Sequence, residues 1–210
     1  MSAAELGREL GWRRPAVATV IALLLTANLA AEELTPEQVV ASTATTLAET
    51  IAKRHRELEA DSAKLNALID ELLRPRFDFE GASRLILRDQ WTQATSEQRK
   101  RFVAGFYHYL LASYGTALLE FRYDTVTVLP STEPPADSTA RVRTVMKLTD
   151  GSTYHVDYYM RRSSAGWRIL DVIAEGVSYV RTYRTDFGAE VRANGLDALI
   201  KRLETTKQRD

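Results

Sequence analysis

Asp171 is the side chain in this 210-residue sequence whose surroundings most demand a chemical explanation. It lies in the run Trp167-Arg168-Ile169-Leu170-Asp171-Val172-Ile173-Ala174. Strict alternation puts Trp167, Ile169, Asp171 and Ile173 on one side of a strand and Leu170, Val172 and Ala174 on the other. A carboxylate in such company must be paired, or its pKa must rise. Two roles follow. As a structural group it would bond an arginine, Arg184 on the following helix, or the amides of the strand-to-helix turn. As a general base it would resemble the carboxylate of cone-shaped α+β isomerases, with Tyr158 or Tyr154 as oxyanion donor. The other reactive side chains offer less. His55, His108 and His155 stand on three separate elements at no metal-ligand spacing, which favours surface or capping roles. With no cysteine, structural disulfides, thiolate metal sites and a cysteine nucleophile are excluded. Neither G-x-S-x-G nor a phosphate-binding glycine loop occurs, and no cofactor is called for.

The elements that hold these residues are legible in the periodicity. Both faces of the Trp167 run are apolar, which reads as a central strand. After Glu175-Gly176 the period changes, and Val180, Tyr183, Phe187 and Val191 fall at steps of three and four, one helical stripe. Asn194-Gly195 closes that helix. Earlier, Thr35-Pro36-Glu37 opens a helix running to about Glu59, with Val39, Val40, Leu47 and Ile51 thinly spread along it. A second helix near Ala63 to Leu73 must stop by Pro75, and Phe77 to Leu87 forms a third, with Asp78 a candidate cap. Thr95-Ser96-Glu97-Gln98 is a capping box that opens the longest helix, to about Glu120. Its stripe of Phe102, Phe106, Leu110, Tyr114 and Leu118 is broad and aromatic, and on residue type alone it reads as core packing.

Strands follow at Tyr123 to Leu129, Arg141 to Leu148 and Thr153 to Arg161, the last two joined by the hairpin pair Asp150-Gly151. In the third, Tyr154, Val156, Tyr158 and Met160 share a face. Helices first and hairpin-linked strands afterwards predict an α+β domain, with one twisted antiparallel sheet of about four strands wrapped by helices.

At the N-terminus, Arg13-Arg14, the uncharged apolar run Ala16 to Ala27 and the small residues after it have the layout of a secretory signal peptide over residues 1–31. The run is shorter than the ~20 residues of a spanning helix, although a membrane anchor is the alternative. Pro15 directly after the arginine pair speaks against a twin-arginine signal. Basic and acidic side chains number 28 each, and cleavage after Ala31 leaves 25 and 26. Such balance argues against a nucleic-acid partner, which needs a basic surface. The domain then spans 32–204, and the polar residues 205–210 form a disordered tail.

Two stretches carry a resemblance. The string W-R-I-L-D-V-x-x-E-G-V-S-x-V-x-x-Y-R-x-x-F from Trp167, with G-L-D-A-L-I-x-R-L at Gly195 to Leu203, resembles the C-terminal signature of the MlaC family, the toluene-tolerance auxiliary proteins. Phe77-Asp78-Phe79, Leu85-Ile86-Leu87, Trp91, Ala94-Thr95 and the E-Q-R-x-x-F run at Glu97 to Phe102 are similar to its middle signature. Arg88 stands where that family usually has glycine.

The resemblance implies a periplasmic phospholipid carrier of Gram-negative bacteria, and a monomer without catalytic residues is expected. It would shuttle between an outer-membrane lipoprotein complex and an inner-membrane ABC transporter complex with an MCE-domain ring, maintaining outer-membrane lipid asymmetry. A related branch of the family carries hopanoids, which leaves a polycyclic cargo as the alternative. About thirty methylenes of a two-chain lipid at ~0.8 kcal/mol each represent roughly 24 kcal/mol of gross exposure in water. The chains must therefore be enclosed in an apolar cavity. Its expected walls are Phe102, Phe106, Leu110, Tyr114 and Leu118 of the long helix. Tyr154, Val156, Tyr158 and Met160 come from the third strand, and Trp167, Ile169, Val177, Tyr183 and Phe187 complete them. The same residues read equally well as solid core.

Overall fold

Thr95 builds the reciprocal cap that its sequence predicts, and Thr35, expected as a helix start, builds the same cap with Gln38. The Gln98 amide donates to Thr95 Oγ1 at 3.1 Å while Thr95 N–H donates to Gln98 Oε1 at 3.0 Å. These caps start α1 (Pro36–Ala60) and α5 (Ser96–Tyr114) in a computed structural model that describes residues 33–120, 123–131 and 138–206. The expected leader, residues 121–122 and 132–137 and the last four residues lie outside the described residues.

Between α1 and α5 come α2 (Ser62–Leu72), a single 3-10 turn at Arg74–Arg76, α3 (Phe79–Leu87) and α4 (Asp89–Gln93). Asp78 caps α3, accepting from Gly81 N–H at 2.8 Å, and also pairs with Arg161. Arg88 carries the chain out of α3 at φ 49, a backbone that side chains with a Cβ rarely adopt.

The longest helix is shorter than expected. Gly115 caps α5, and α6 (Ala117–Glu120) is a separate turn, so Tyr114 and Leu118 are not on one continuous helix. After the sheet come α7 (Tyr179–Asn194) and α8 (Leu196–Thr205). Gly195, at φ 84, turns one into the other, as a residue without Cβ can. The expected tail begins too early, since α8 reaches Thr205 and the Thr206 hydroxyl still donates to Arg202 O at 2.9 Å. Gly105 lets α5 and α8 approach closely, because a Cβ there would stand 3.2 Å from Leu203 Cβ.

The sheet is antiparallel throughout, in the order β1 (Tyr123–Val128), β2 (Thr139–Leu148), β3 (Thr153–Ser163), β4 (Gly166–Ala174), β5 (Val177–Ser178). The α+β class stands, with five strands where about four were expected. β5 is only two residues long, too short to show as a period. Nor is β4 a central strand. Among the described residues its backbone pairings beyond β3 are with β5, at Ile173 and Ala174, and one bridge from Phe77 to Ile169.

A bulge in β4 overturns the strict alternation. Tyr159 pairs with Asp171, but Met160 pairs with Ile169, so Leu170 is the extra residue and the side chains change phase across it. Trp167 and Ile169 therefore share their face with Val172 and Ala174, while Asp171 and Ile173 point the other way.

Among the described residues, three apolar clusters make up the buried interior. Ala82, Ile86, Trp91, Phe102, Phe106, Tyr183, Phe187 and Leu199 belong to the first, among α3, α4, α5, α7 and α8. Val39 and Val40 of α1 join Val142, Met160, Trp167 and Ile169 of the sheet in the second. Leu58, Leu65, Leu68, Ile69 and Leu119 form the third, where α1, α2 and α6 meet.

Candidate functional site

The register defines an inner sheet face. Ala140, Val142, Thr144 and Met146 of β2 stand opposite Met160, Tyr158, Val156 and Tyr154 of β3. Met160, Tyr158 and Val156 in turn face Ile169, Val172 and Ala174 of β4. At one end this face is closed. Met160 is fully buried, and Trp167 and Ile169 are buried with it under Val39 and Val40. Toward the other end it opens, since Tyr158, Val172 and Ala174 are half-buried and Tyr154 is 42% exposed.

The helical residues expected to line the same space divide differently. Phe102 and Phe106 are stacked with centroids 6.0 Å apart, and Phe187 meets both edge-on at 6.2 and 5.9 Å. Tyr183 closes on Phe106 at 5.2 Å, and Leu110 packs half-buried on the group. These five residues fill one another's space. Leu118 packs half-buried on the third cluster. Tyr114, at 42%, and Val177, at 59%, are exposed.

Thus the fourteen expected wall residues divide into two main groups, one of helix residues and one of sheet residues, with Leu118 on the third cluster, Val156 buried and three residues at the surface. Other apolar side chains are only half-buried. Tyr158 and Val172 border the sheet cluster, Ile51, Leu111 and Leu118 the third, and Leu47 sits on α1 between them. Val172 was missed by alternation because the bulge has no sequence mark. Leu47 and Ile51 were visible only as thin spacing on α1. A separate open pocket of about 390 Å3, lined by Asn66, His108, Leu111, Ala112, Glu204, Thr205 and Thr206, touches none of the fourteen.

Asp171 has its partners. Its carboxylate accepts from Ser178 Oγ at 2.5 Å and from Val180 N–H at 3.0 Å, tying β4 to the first turn of α7. Arg184 is occupied elsewhere, donating to Leu85 O at 2.9 Å. Tyr154 and Tyr158 lie on the opposite face of the sheet from Asp171, so the oxyanion arrangement of an isomerase is not formed. His108 Nδ1 lies 3.2 Å from Leu203 O, while His55 and His155 each stand beside a glutamate. No group of three metal-binding side chains occurs among the described residues, nor is any described helix long and apolar enough to cross a membrane.

Where α5 ends and α7 begins, four tyrosines cluster. The Tyr183 hydroxyl donates to that of Tyr114 at 2.9 Å. Burial raises the pKa of Tyr183 and Tyr179, and contact with Tyr114 adds to the shift.

One open antiparallel sheet with helices packed on it and on one another, and half-buried apolar side chains along its inner face, define an α+β fold in which Asp171 and Tyr154 or Tyr158 form no catalytic constellation. The MlaC protein family profile matches residues 41–205, and the chain belongs to that family. It is 30% identical to the toluene tolerance protein ttg2D of Pseudomonas putida over 166 residues, 78% of this chain and 76% of that one. Identity is 21% to the intermembrane phospholipid transport system binding protein MlaC of Haemophilus influenzae, over 89% of this chain and 90% of the relative. Among solved structures it resembles the phospholipid-binding protein from Ralstonia solanacearum in complex with a phospholipid. That match has a TM-score of 0.74 and 26% identity, and covers 81% of this chain and 96% of that one.

Proposed function

We propose that the chain is a phospholipid-binding carrier of the periplasm, exported by a signal peptide over residues 1–31. It takes lipid between an outer-membrane lipoprotein complex and an inner-membrane ABC transporter complex carrying an MCE-domain ring, and so maintains outer-membrane asymmetry. The observation that carries this reading is the likeness along most of the chain to a Ralstonia solanacearum protein solved with a phospholipid in it. The local geometry supports it. Half-buried apolar side chains, Tyr158 and Val172 on the sheet cluster and Ile51, Leu111 and Leu118 on the third, leave apolar surface for a ligand to cover. Acyl chains laid between the inner sheet face and α1, α5 and α6 would complete the burial of Tyr158, Val172, Leu118 and Tyr154. The aromatic stack of Phe102, Phe106, Tyr183 and Phe187 would back that space as a rigid wall. Such a carrier needs no chemistry of its own, and the paired Asp171 fits that.

Organic extraction of protein purified from a Gram-negative host, followed by mass spectrometry, tests the reading. Diacyl phospholipid at close to one molecule per chain is the expected result. A hopanoid in its place would overturn the cargo, and protein free of lipid would overturn the carrier.

A further inference from the structure

The tyrosine cluster at the end of α5 has a graded exposure that the wall of a cavity does not need. Tyr114 and Tyr179 meet edge to face with centroids 6.0 Å apart. Behind them, Tyr183 lies 6.3 Å from Tyr179 and 6.0 Å from Tyr109. Exposure rises from 5% at Tyr183 to 38% at Tyr179 and 42% at Tyr114. The outer end of the cluster adjoins the open end of the inner sheet face, because Val177, two residues before Tyr179, pairs with Ala174, and Ala174 pairs with Val156.

The outer hydroxyls have protons to give. Tyr114 accepts from Tyr183, so its own proton points elsewhere. Neither that proton nor the Tyr179 hydroxyl has an acceptor among the described residues. Tyrosine suits a boundary of this kind, with an apolar ring on one side and a polar tip on the other. Two neutral donors, with Arg202 set over Tyr109 at the inner end of the cluster and not at its outer end, match an anionic oxygen acceptor that must be released again. Hydrogen bonds to a charged acceptor are stronger than neutral ones, yet a phenol holds no ion pair that would have to be broken on delivery.

We propose that Tyr114 and Tyr179 seat the phosphodiester of a bound glycerophospholipid at the mouth of the cleft, with Tyr183 as the positioning residue that orients the Tyr114 hydroxyl from below. The inference rests on the carrier reading and names the part of the cargo that is recognised. The seat reads the group that all diacyl phospholipids share, and leaves whatever is attached beyond the phosphate in water.

The test measures uptake from phosphatidylcholine vesicles doped with pyrene-labelled phosphatidylglycerol or with pyrene-labelled diacylglycerol of the same chain length. Wild-type protein is compared with Tyr114→Phe, Tyr179→Phe, Tyr183→Phe and the Tyr114→Phe/Tyr179→Phe pair, each of which keeps its rings. Each outer substitution should weaken phosphatidylglycerol binding about tenfold, and the pair more. Tyr183→Phe should weaken it less. Diacylglycerol binding should not move in any variant, nor should the melting temperature of Tyr179→Phe, whose hydroxyl has no partner to lose among the described residues. Equal losses for the two lipids, or no loss for phosphatidylglycerol, would overturn the seat. Wild-type protein that takes up neither lipid would overturn the carrier reading itself, and the seat with it.

Discussion

Asp171 and Arg88 both occupy positions that cost free energy, and each is balanced by something specific. At Asp171 the balance is the Ser178 hydroxyl and the Val180 amide, two donors aimed at two carboxylate oxygens. In Asp171→Asn one of those donors faces an NH2 group. The expected cost is about 1–3 kcal/mol, read as a melting temperature lower by several degrees, with lipid content unchanged. An unaltered melting temperature would remove the structural role. At Arg88 the backbone has φ 49 directly after α3, where a residue without Cβ is relaxed. Arg88→Gly should therefore stabilise the protein by about 1 kcal/mol, roughly 2–4 °C in thermal melts. A decrease would mean that the Arg88 side chain contributes more than its backbone costs.

Between elements, the joint of α1 and α2 is held by charge. Glu57 accepts from Arg54 at 3.0 Å and lies 3.0 Å from Lys64. Hydrogen bonds from these two cations bring its pKa down from 4.5 to about 2. A carboxylate lowered on folding contributes stability that is complete above pH 4.5 and is lost as the pH falls through about 2. Glu57→Gln should flatten the acid limb of the melting curve in that window at low salt. Because the group is exposed, the difference should be small and should vanish in high salt. A difference that persists in high salt would show that Glu57 acts other than through charge.

For the molecule as a whole, the question is which apolar side chains fill space and which border it. Phe102 is fully buried among Phe106 and Phe187, so Phe102→Ala should cost about 3–5 kcal/mol in urea unfolding. Val172 is half-buried on the inner face. A larger side chain there should enter the cleft instead of a packed interior, so Val172→Phe should leave unfolding nearly unchanged while lowering the lipid recovered per chain. Overpacking costs about 1–3 kcal/mol. Destabilisation of that size with full lipid content would mean that the gap beside the sheet is already filled by protein.

Local signals were reliable wherever one residue type decides the backbone. The caps at Thr35, Asp78 and Thr95, the hairpin at Asp150-Gly151, the stripe of α7 and its stop at Gly195 were all readable, because each depends on neighbours within a few positions. The family was readable for a related reason, since its signatures lie on contiguous runs. Three things needed the folded chain. The bulge at Leu170 reversed the face of Asp171 relative to Trp167 and Ile169, and a one-residue change of phase leaves no trace in an apolar run. Gly115 divided the long helix although its apolar stripe continues through the break. The burial pattern of Phe102, Tyr158 and Tyr114 is not in their residue types at all. An aromatic ring is equally suited to filling a core, bordering a cleft or rimming its mouth, and only the distance to the next layer of atoms decides between them.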